Sequence, residues 1–260
     1  MKQLLVSMFV MGVTILFLAC SDNSVANKKT FSVGFDSSFR PYGYIENGEI
    51  KGFDIDLARE VAKRNQWKLE LIPIEWNMKE QKINRGEIDC IWNGFTINGR
   101  EDDFTWSEPY VDNSQIIMVN RDSDIKADTD LTGRIIAVQY GTQIQKALQL
   151  GGSLEKLGAS LKALRLFQNY EQAVDNLVAG SVDAIVLDIV VAKEQIALGK
   201  NFRILDKELL SEKYGIGFKK GNTALRDRVQ TTLKAMIADG TAAKISARYF
   251  NGNVIVMKPE

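Results

Sequence analysis

One short pattern occurs twice in this chain and limits what it can fold into. Gly86-Glu87-Ile88-Asp89-Cys90-Ile91-Trp92-Asn93 reads as a turn, a short apolar strand and a polar exit. Gly180-Ser181-Val182-Asp183-Ala184-Ile185-Val186-Leu187-Asp188 reads almost the same way. Each copy follows a helix-like stretch. A pair this short also arises by chance in α/β proteins. Read as design, it implies two similar α/β lobes, each aiming a strand end at a shared cleft. Ligands of open α/β sheets sit outside the carboxyl ends of the strands. A site is therefore expected at Asn93 to Arg100 and at Asp188.

The flanking pattern supports two lobes. Phe31 to Asp36 reads as a strand, Asp54 as the cap of a helix, and Lys68 to Ile74 as an alternating strand. Asn77 to Arg85 reads as a short helix leading into the first copy. The order restarts at Gly133, with a strand at Arg134–Val138, a helix at Thr142–Leu150 and a strand at Leu161–Phe167. A helix at Asn169–Ala179, with Ala173, Val174, Leu177 and Val178 on one face, leads into the second copy. Strands alternating with helices imply βαβ units and parallel pairing. The remainder is a strand at Tyr214–Phe218 and a helix capped by Asn222 or Thr223 and stopped at Asp239-Gly240. It belongs to neither set. The chain is thus expected to cross to the second lobe near Val119–Asp124 and return near Lys213–Gly217. Residues 30–119 with 215–260 form lobe one, residues 120–214 form lobe two, and the two crossings form a hinge.

The N-terminal end carries an address. Leu4 to Ala19 is almost wholly apolar and shorter than the roughly 20 residues of a membrane-spanning helix, so residues 1–19 read as a signal peptide. Leu18-Ala19-Cys20 resembles the signal of bacterial lipoproteins, with Phe17 where leucine is more common. Cys20 is then the lipidated residue and residues 20–29 a tether. Cys90, mid-strand, reads as a small buried hydrophobe. Without residues 1–19 the chain has 260 − 19 = 241 residues and a charge of 32 − 33 = −1. Such a balance argues against nucleic-acid binding. The chain has no histidine, the commonest acid–base residue of enzymes.

The sharpest local signal is Asn93-Gly94-Phe95-Thr96-Ile97-Asn98-Gly99-Arg100. Its glycines allow a tight path with backbone N–H groups facing one way, Thr96 adds a hydroxyl, and Arg100 offers a fork matched to a carboxylate. The alternative is a surface turn whose arginine pairs with Glu101 or Asp102. Gln139-Tyr140-Gly141-Thr142-Gln143 leaves a strand and opens a helix, a weaker anion signal. Asp188 follows an apolar strand and reads as a receptor for an ammonium group, as a helix N-cap, or as both. Asp36 ends the first strand. Phe39 and Trp76 lie in loops that could sandwich an apolar stem or fill the core.

At these residues the chain resembles a known family. Gly34 to Pro41, Gly52 to Ala58, Asn93 to Arg100, Trp106 to Tyr110, Gln139 to Thr142 and Val182 to Ala184 together are similar to the extracytoplasmic solute-binding proteins of bacterial polar amino-acid ABC transporters. The resemblance implies a type II periplasmic-binding-protein fold of the Venus-flytrap kind, closing over one amino acid. It implies that Arg100 grips the carboxylate, helped by Thr96 and by the backbone near Thr142 and Gln143. Asp188 takes the ammonium group, with the backbone near Gly94. Phe39 and Trp76 sandwich the side chain, and Asp36, Asn93 and Gln139 favour a donor-bearing tip. Glutamine, cystine and basic amino acids are all admitted, and Arg40 is the nearby cation an acidic ligand would need. Thr96 to Arg100 is one residue shorter than the usual pattern, and Gln139 and Gln143 stand where some members of that family have a lysine and a small residue. The implied partners are a free amino acid, an ABC permease and a membrane reached through Cys20. The protein is expected to be an envelope-located monomer without cofactor or metal. A cyclohexadienyl-dehydratase-like enzyme on the same scaffold and a ligand-sensing receptor domain are the rival readings.

Overall fold

The structure, a computed structural model, describes residues 30–259. The expected signal peptide, tether and Cys20 lie outside them. Chain order is β1 (Thr30–Phe35), β2 (Ser38–Phe39), β3 (Gly43–Glu46), β4 (Glu49–Lys51), α1 (Phe53–Arg64) and β5 (Lys68–Pro73). A 3₁₀ turn at Trp76–Met78 leads to α2 (Lys79–Asn84), β6 (Cys90–Thr96), β7 (Thr105–Trp106) and β8 (Val111–Asn120). Next come β9 (Ile135–Gln139), α3 (Gln143–Leu148), α4 (Glu155–Ser160), β10 (Ala163–Phe167), α5 (Tyr170–Val178) and β11 (Ala184–Asp188). The chain closes with α6 (Ile189–Ala197), β12 (Phe202–Ile204), β13 (Leu210–Phe218), α7 (Thr223–Ala238) and α8 (Thr241–Tyr249).

The main path of the sheet runs β10-β9-β11-β8-β13-β6-β1-β5. Its two ends are parallel: β6 and β5 flank β1, and β11 and β10 flank β9. Each parallel trio is one lobe, as the repeat implied. The repeat has a physical cause. Asp89 accepts the backbone N–H of Ser32 at 2.7 Å and its hydroxyl at 2.8 Å. Asp183 accepts the N–H of Ile135 at 2.7 Å. In each lobe the aspartate pins the start of one strand to its parallel neighbour. A buried N–H without a partner is costly, so both lobes meet the same need with the same residue.

β8 and β13 join the lobes. β8 pairs with β13 through Val111–Tyr214 to Gln115–Leu210 and with β11 from Gln115 to Met118. The outward crossing therefore precedes Val119–Asp124. Nothing along a continuous ten-residue strand marks where its partner changes. β13 carries the chain back, pairing with β6 from Tyr214 to Phe218, and α7 and α8 pack on α1. Every residue of β6 is buried. Both faces of this strand are covered, which is the normal lot of strands in parallel sheets.

Two local expectations fail, and one short helix is new. Asp54 is not a cap: Gly52 holds that position, and Asp54 lies inside α1, fully buried. Val178 faces solvent, at 62 % exposure. The short helix α4 had no counterpart in the sequence reading.

Asp54 accepts Gly94 N–H at 2.7 Å and the Tyr110 hydroxyl at 2.8 Å. Burial, the dominant cause, pushes its carboxyl up to about 7. The folded protein thus keeps a proton that the unfolded chain releases near pH 4. The stability this contributes is full below that pH and is lost as pH rises through about 7. Asp54→Asn should remove this slope. The stability difference between variant and wild type, from urea unfolding at about pH 4 and pH 8, should shift by about 4 kcal/mol toward the variant. Parallel pH profiles would contradict the assignment.

Candidate functional site

Ends of strands from both lobes converge on one cavity in the cleft. All eleven residues marked in the sequence line it, and the structure adds Gln115 and Tyr170.

The negative-end candidate is Arg100. A turn from Ile97 to Arg100, closed by Arg100 N–H on Ile97 C=O at 2.9 Å, follows β6. Gly99 sits third in that turn at φ 73°, a conformation that favours glycine there. This turn accommodates the segment's missing residue. The guanidinium is buried, 2 % exposed, and Trp106 Nε1 fixes the backbone by donating to Arg100 C=O at 2.9 Å. Arg100 Nη1 donates to Thr96 C=O at 3.2 Å, Nη2 donates across the cleft to Gly141 C=O at 3.0 Å, and Nε has no partner. No ion pair with Glu101 or Asp102 occurs among the described residues, which removes the surface-turn alternative. Arg100 is a buried cation held by neutral groups, the two carbonyls and the Phe95 ring, whose centroid is 5.2 Å from its Cζ.

Lys79, which in the sequence is one residue of the short helix at Asn77–Arg85, lies beside Arg100. It is 2 % exposed. Its Nζ donates to Trp76 C=O at 3.1 Å and, across the cleft, to Gly141 C=O at 2.8 Å. Burial first, then the Arg100 charge, lowers its pKa to about 7. Two lobe-one cations thus hold one lobe-two carbonyl. Arg40, the cation suggested by the sequence, pairs instead with Glu46 at 2.7 Å and lies over the Tyr44 ring at 3.8 Å.

The positive-end candidate is Asp188, 5 % exposed at the end of β11. It occupies the N-cap position of α6, yet its side chain caps nothing. Its Oδ1 accepts from Asn113 Nδ2 at 2.6 Å, from Gln115 Nε2 at 3.0 Å and from the Tyr214 hydroxyl, while Oδ2 accepts from the Tyr170 hydroxyl at 2.7 Å. Burial raises its pKa, against these hydrogen bonds. The carboxylate, like Arg100, is held by neutral groups.

At a third point the lobes touch directly. Asp36 Oδ1 accepts Ser38 N–H at 2.9 Å, and Oδ2 accepts Gln139 Nε2 from the opposite lobe at 2.5 Å. Asn93 Oδ1 accepts Asp36 N–H at 2.7 Å, which fixes where the strand end points. Burial raises the Asp36 pKa. The Phe39 ring stacks on Tyr170 across the cleft at 5.9 Å and 30°, and Trp76 stands edge-on to Phe95 at 5.4 Å. Thr142 spends its hydroxyl on Gln139 C=O at 2.7 Å, whereas Gln143 Oε1 has no partner.

Three N–H groups of the expected backbone row are already taken: Gly94 donates to Asp54, Ile97 to Lys213 C=O and Arg100 to Ile97 C=O. Glycine is needed at 94 for another reason. Its φ is 52°, and a Cβ there would lie 2.6 Å from Phe39 Cε1 and 3.0 Å from Tyr214 Cε2. Gly94→Ala should lower stability by about 1–3 kcal/mol through strain and crowding. Denaturant unfolding measures this, and a wild-type midpoint would show that the rings yield without cost.

Comparison with known proteins agrees with this geometry. The chain is 28 % identical over 237 residues to the ABC transporter glutamine-binding protein of Bacillus subtilis (strain 168), covering 89 % of this chain and 83 % of that one. It superposes with TM-score 0.85 and 27 % identity on an ABC uptake transporter substrate-binding protein from Streptococcus pneumoniae with bound histidine, covering 91 % and 99 % of the two chains. It also superposes, with TM-score 0.78 and 30 % identity, on an ancestral amino-acid-binding protein described as a precursor of cyclohexadienyl dehydratase, covering 88 % and 98 %. Residues 31–252 match the profile of one family, and the chain belongs to it: the bacterial extracellular solute-binding proteins, family 3.

Proposed function

We propose that the protein binds one zwitterionic amino acid between its lobes and delivers it to an ABC permease, acting as a monomer anchored outside the cytoplasm through Cys20. One observation carries this reading: a buried cation and a buried anion, Arg100 and Asp188, line the same cavity, and neither has a charged partner within ion-pair distance among the described residues. A buried charge without a counter-charge is costly. An amino acid supplies both counter-charges at once. Lobe one is taken as 30–119 with 215–260 and lobe two as 120–214, except that the hinge lies in the β8–β13 ribbon. The ligand's ends then touch different lobes, and the closed form gains contacts the open form lacks.

Asp36 reads the side-chain tip. It is a buried carboxylate at the cavity wall with no ion pair among the described residues, so it favours a tip with N–H donors, and a cationic tip over an amide. Phe39 and Trp76 flank the stem. The dehydratase-like rival has one support, the likeness to an ancestor of such an enzyme. Recovery of the ligand chemically unchanged after incubation separates the two.

Calorimetry against the twenty amino acids, cystine and ornithine tests the class. The expected result is a dissociation constant below about 0.1 mM for at least one of them, or about −5.5 kcal/mol. Arg100→Ala and Asp188→Ala should each weaken that ligand by about 3–5 kcal/mol, because each leaves one charged end of the ligand buried without its counter-charge. Asp36→Asn should weaken a cationic ligand more than glutamine. Full affinity in either alanine variant removes that residue from the site.

A further inference from the structure

The hinge ribbon holds a second buried carboxylate. Glu212 lies on β13 and is 2 % exposed. Its Oε2 accepts from Asn113 Nδ2 at 2.9 Å and from Gln115 Nε2 at 2.9 Å. The same two nitrogens donate to Asp188 Oδ1, at 2.6 and 3.0 Å. Because Asn113 Nδ2 is 2.6 Å from one oxygen and 2.9 Å from the other, the two oxygens are at most 2.6 + 2.9 = 5.5 Å apart. Glu212 Oε1 has no hydrogen-bond partner among the described residues.

The surroundings offer little to offset two negative charges. From β8 come the neutral amides of Asn113 and Gln115. From α5 and β13 come the Tyr170 and Tyr214 hydroxyls, both on Asp188; Tyr42 also feels the Asp188 charge, and Asp112, Glu208 and Lys213 line the surface pocket that Glu212 borders. Arg100 is the cation whose field reaches Glu212, and it forms no ion pair with it among the described residues. Two like charges this close in a buried site do not both ionise readily.

We propose that Asp188 and Glu212 act as one acid pair, holding a proton between them in the free protein and releasing it to solvent when the ligand's ammonium group docks. This rests on the reading that Asp188 receives that group. The charge balance is exact in form: the pair carries −1 with its proton, and −2 plus the ammonium's +1 without it. Asn113 and Gln115 gain sense here, since each amide has two hydrogens and spans both carboxylates. Glu212 is a positioning residue that acts through Asp188. Burial, and next the Asp188 charge, bring Glu212 up to about 7, so the exchange falls in the neutral range.

The sign follows from linkage. A proton released on binding makes affinity rise with pH across the pair's titration, here by about tenfold between about pH 6 and pH 8. The experiment is calorimetry with L-arginine, L-lysine and L-glutamine, whose own groups do not titrate near neutrality, in buffers of different ionisation enthalpy. Wild type should release close to one proton per ligand at about pH 6 and almost none at about pH 8. Glu212→Gln should bind with little release at either pH, and its thermal midpoint shows whether it is folded. Binding without buffer dependence in the wild type, or full release in a folded Glu212→Gln, overturns the pair. Absence of binding by every amino acid overturns the ligand reading itself, and this inference with it.

Discussion

A carboxylate buried at the meeting point of both lobes and the hinge organises this structure. Asp188 ends β11, the lobe-two strand that pairs with the hinge strand β8, and desolvation there works against its charge. Its hydrogen-bond donors come from α5, from the outgoing strand β8 and from the returning strand β13. Each of those elements must therefore reach the same point. The donors are neutral, and that decides what the site can do. Hydroxyls and amides stabilise an anion without cancelling its charge, whereas an arginine would have cancelled it. The negative potential remains for a ligand. Arg100 follows the same rule with the opposite sign, held by the carbonyls of Thr96 and Gly141.

Closure and recognition share atoms. Gly141 C=O belongs to lobe two, and its donors, Arg100 and Lys79, belong to lobe one. Asp36 faces the cavity and is also joined to Gln139 across the cleft. The Phe39–Tyr170 stack adds an apolar contact at 5.9 Å. The groups that would touch a ligand thus also touch the opposite lobe. A two-strand hinge suits this arrangement, because a ribbon can twist while the two parallel trios move as packed bodies.

Much of this was legible in the chain. The repeated Gly-x-x-Asp strand reported two parallel trios because Asp89 and Asp183 each tie neighbouring strands together. The cavity-lining residues of the Asn93–Arg100 segment were legible because they leave one strand end together. The hinge residues were not. Asn113, Gln115 and Glu212 become neighbours only when β8 and β13 pair, and those segments lie about a hundred residues apart with no local signal. Lys79 looked like any lysine on a short helix; the opposite lobe buries it. Asp54 looked like a cap, since its position before an apolar helix is typical of one, but its carboxylate is turned inward to Gly94 and Tyr110.

The central claim is that two buried charges of opposite sign, each held by neutral groups, recognise the two ends of one zwitterion. The most direct measurement compares the best-bound amino acid with two analogues, one lacking only the α-carboxylate and one lacking only the α-amino group. Each analogue should bind at least about 100-fold more weakly, about 2.7 kcal/mol, because each leaves Arg100 or Asp188 buried without a counter-charge. An analogue that binds within a few-fold of the parent amino acid would contradict it.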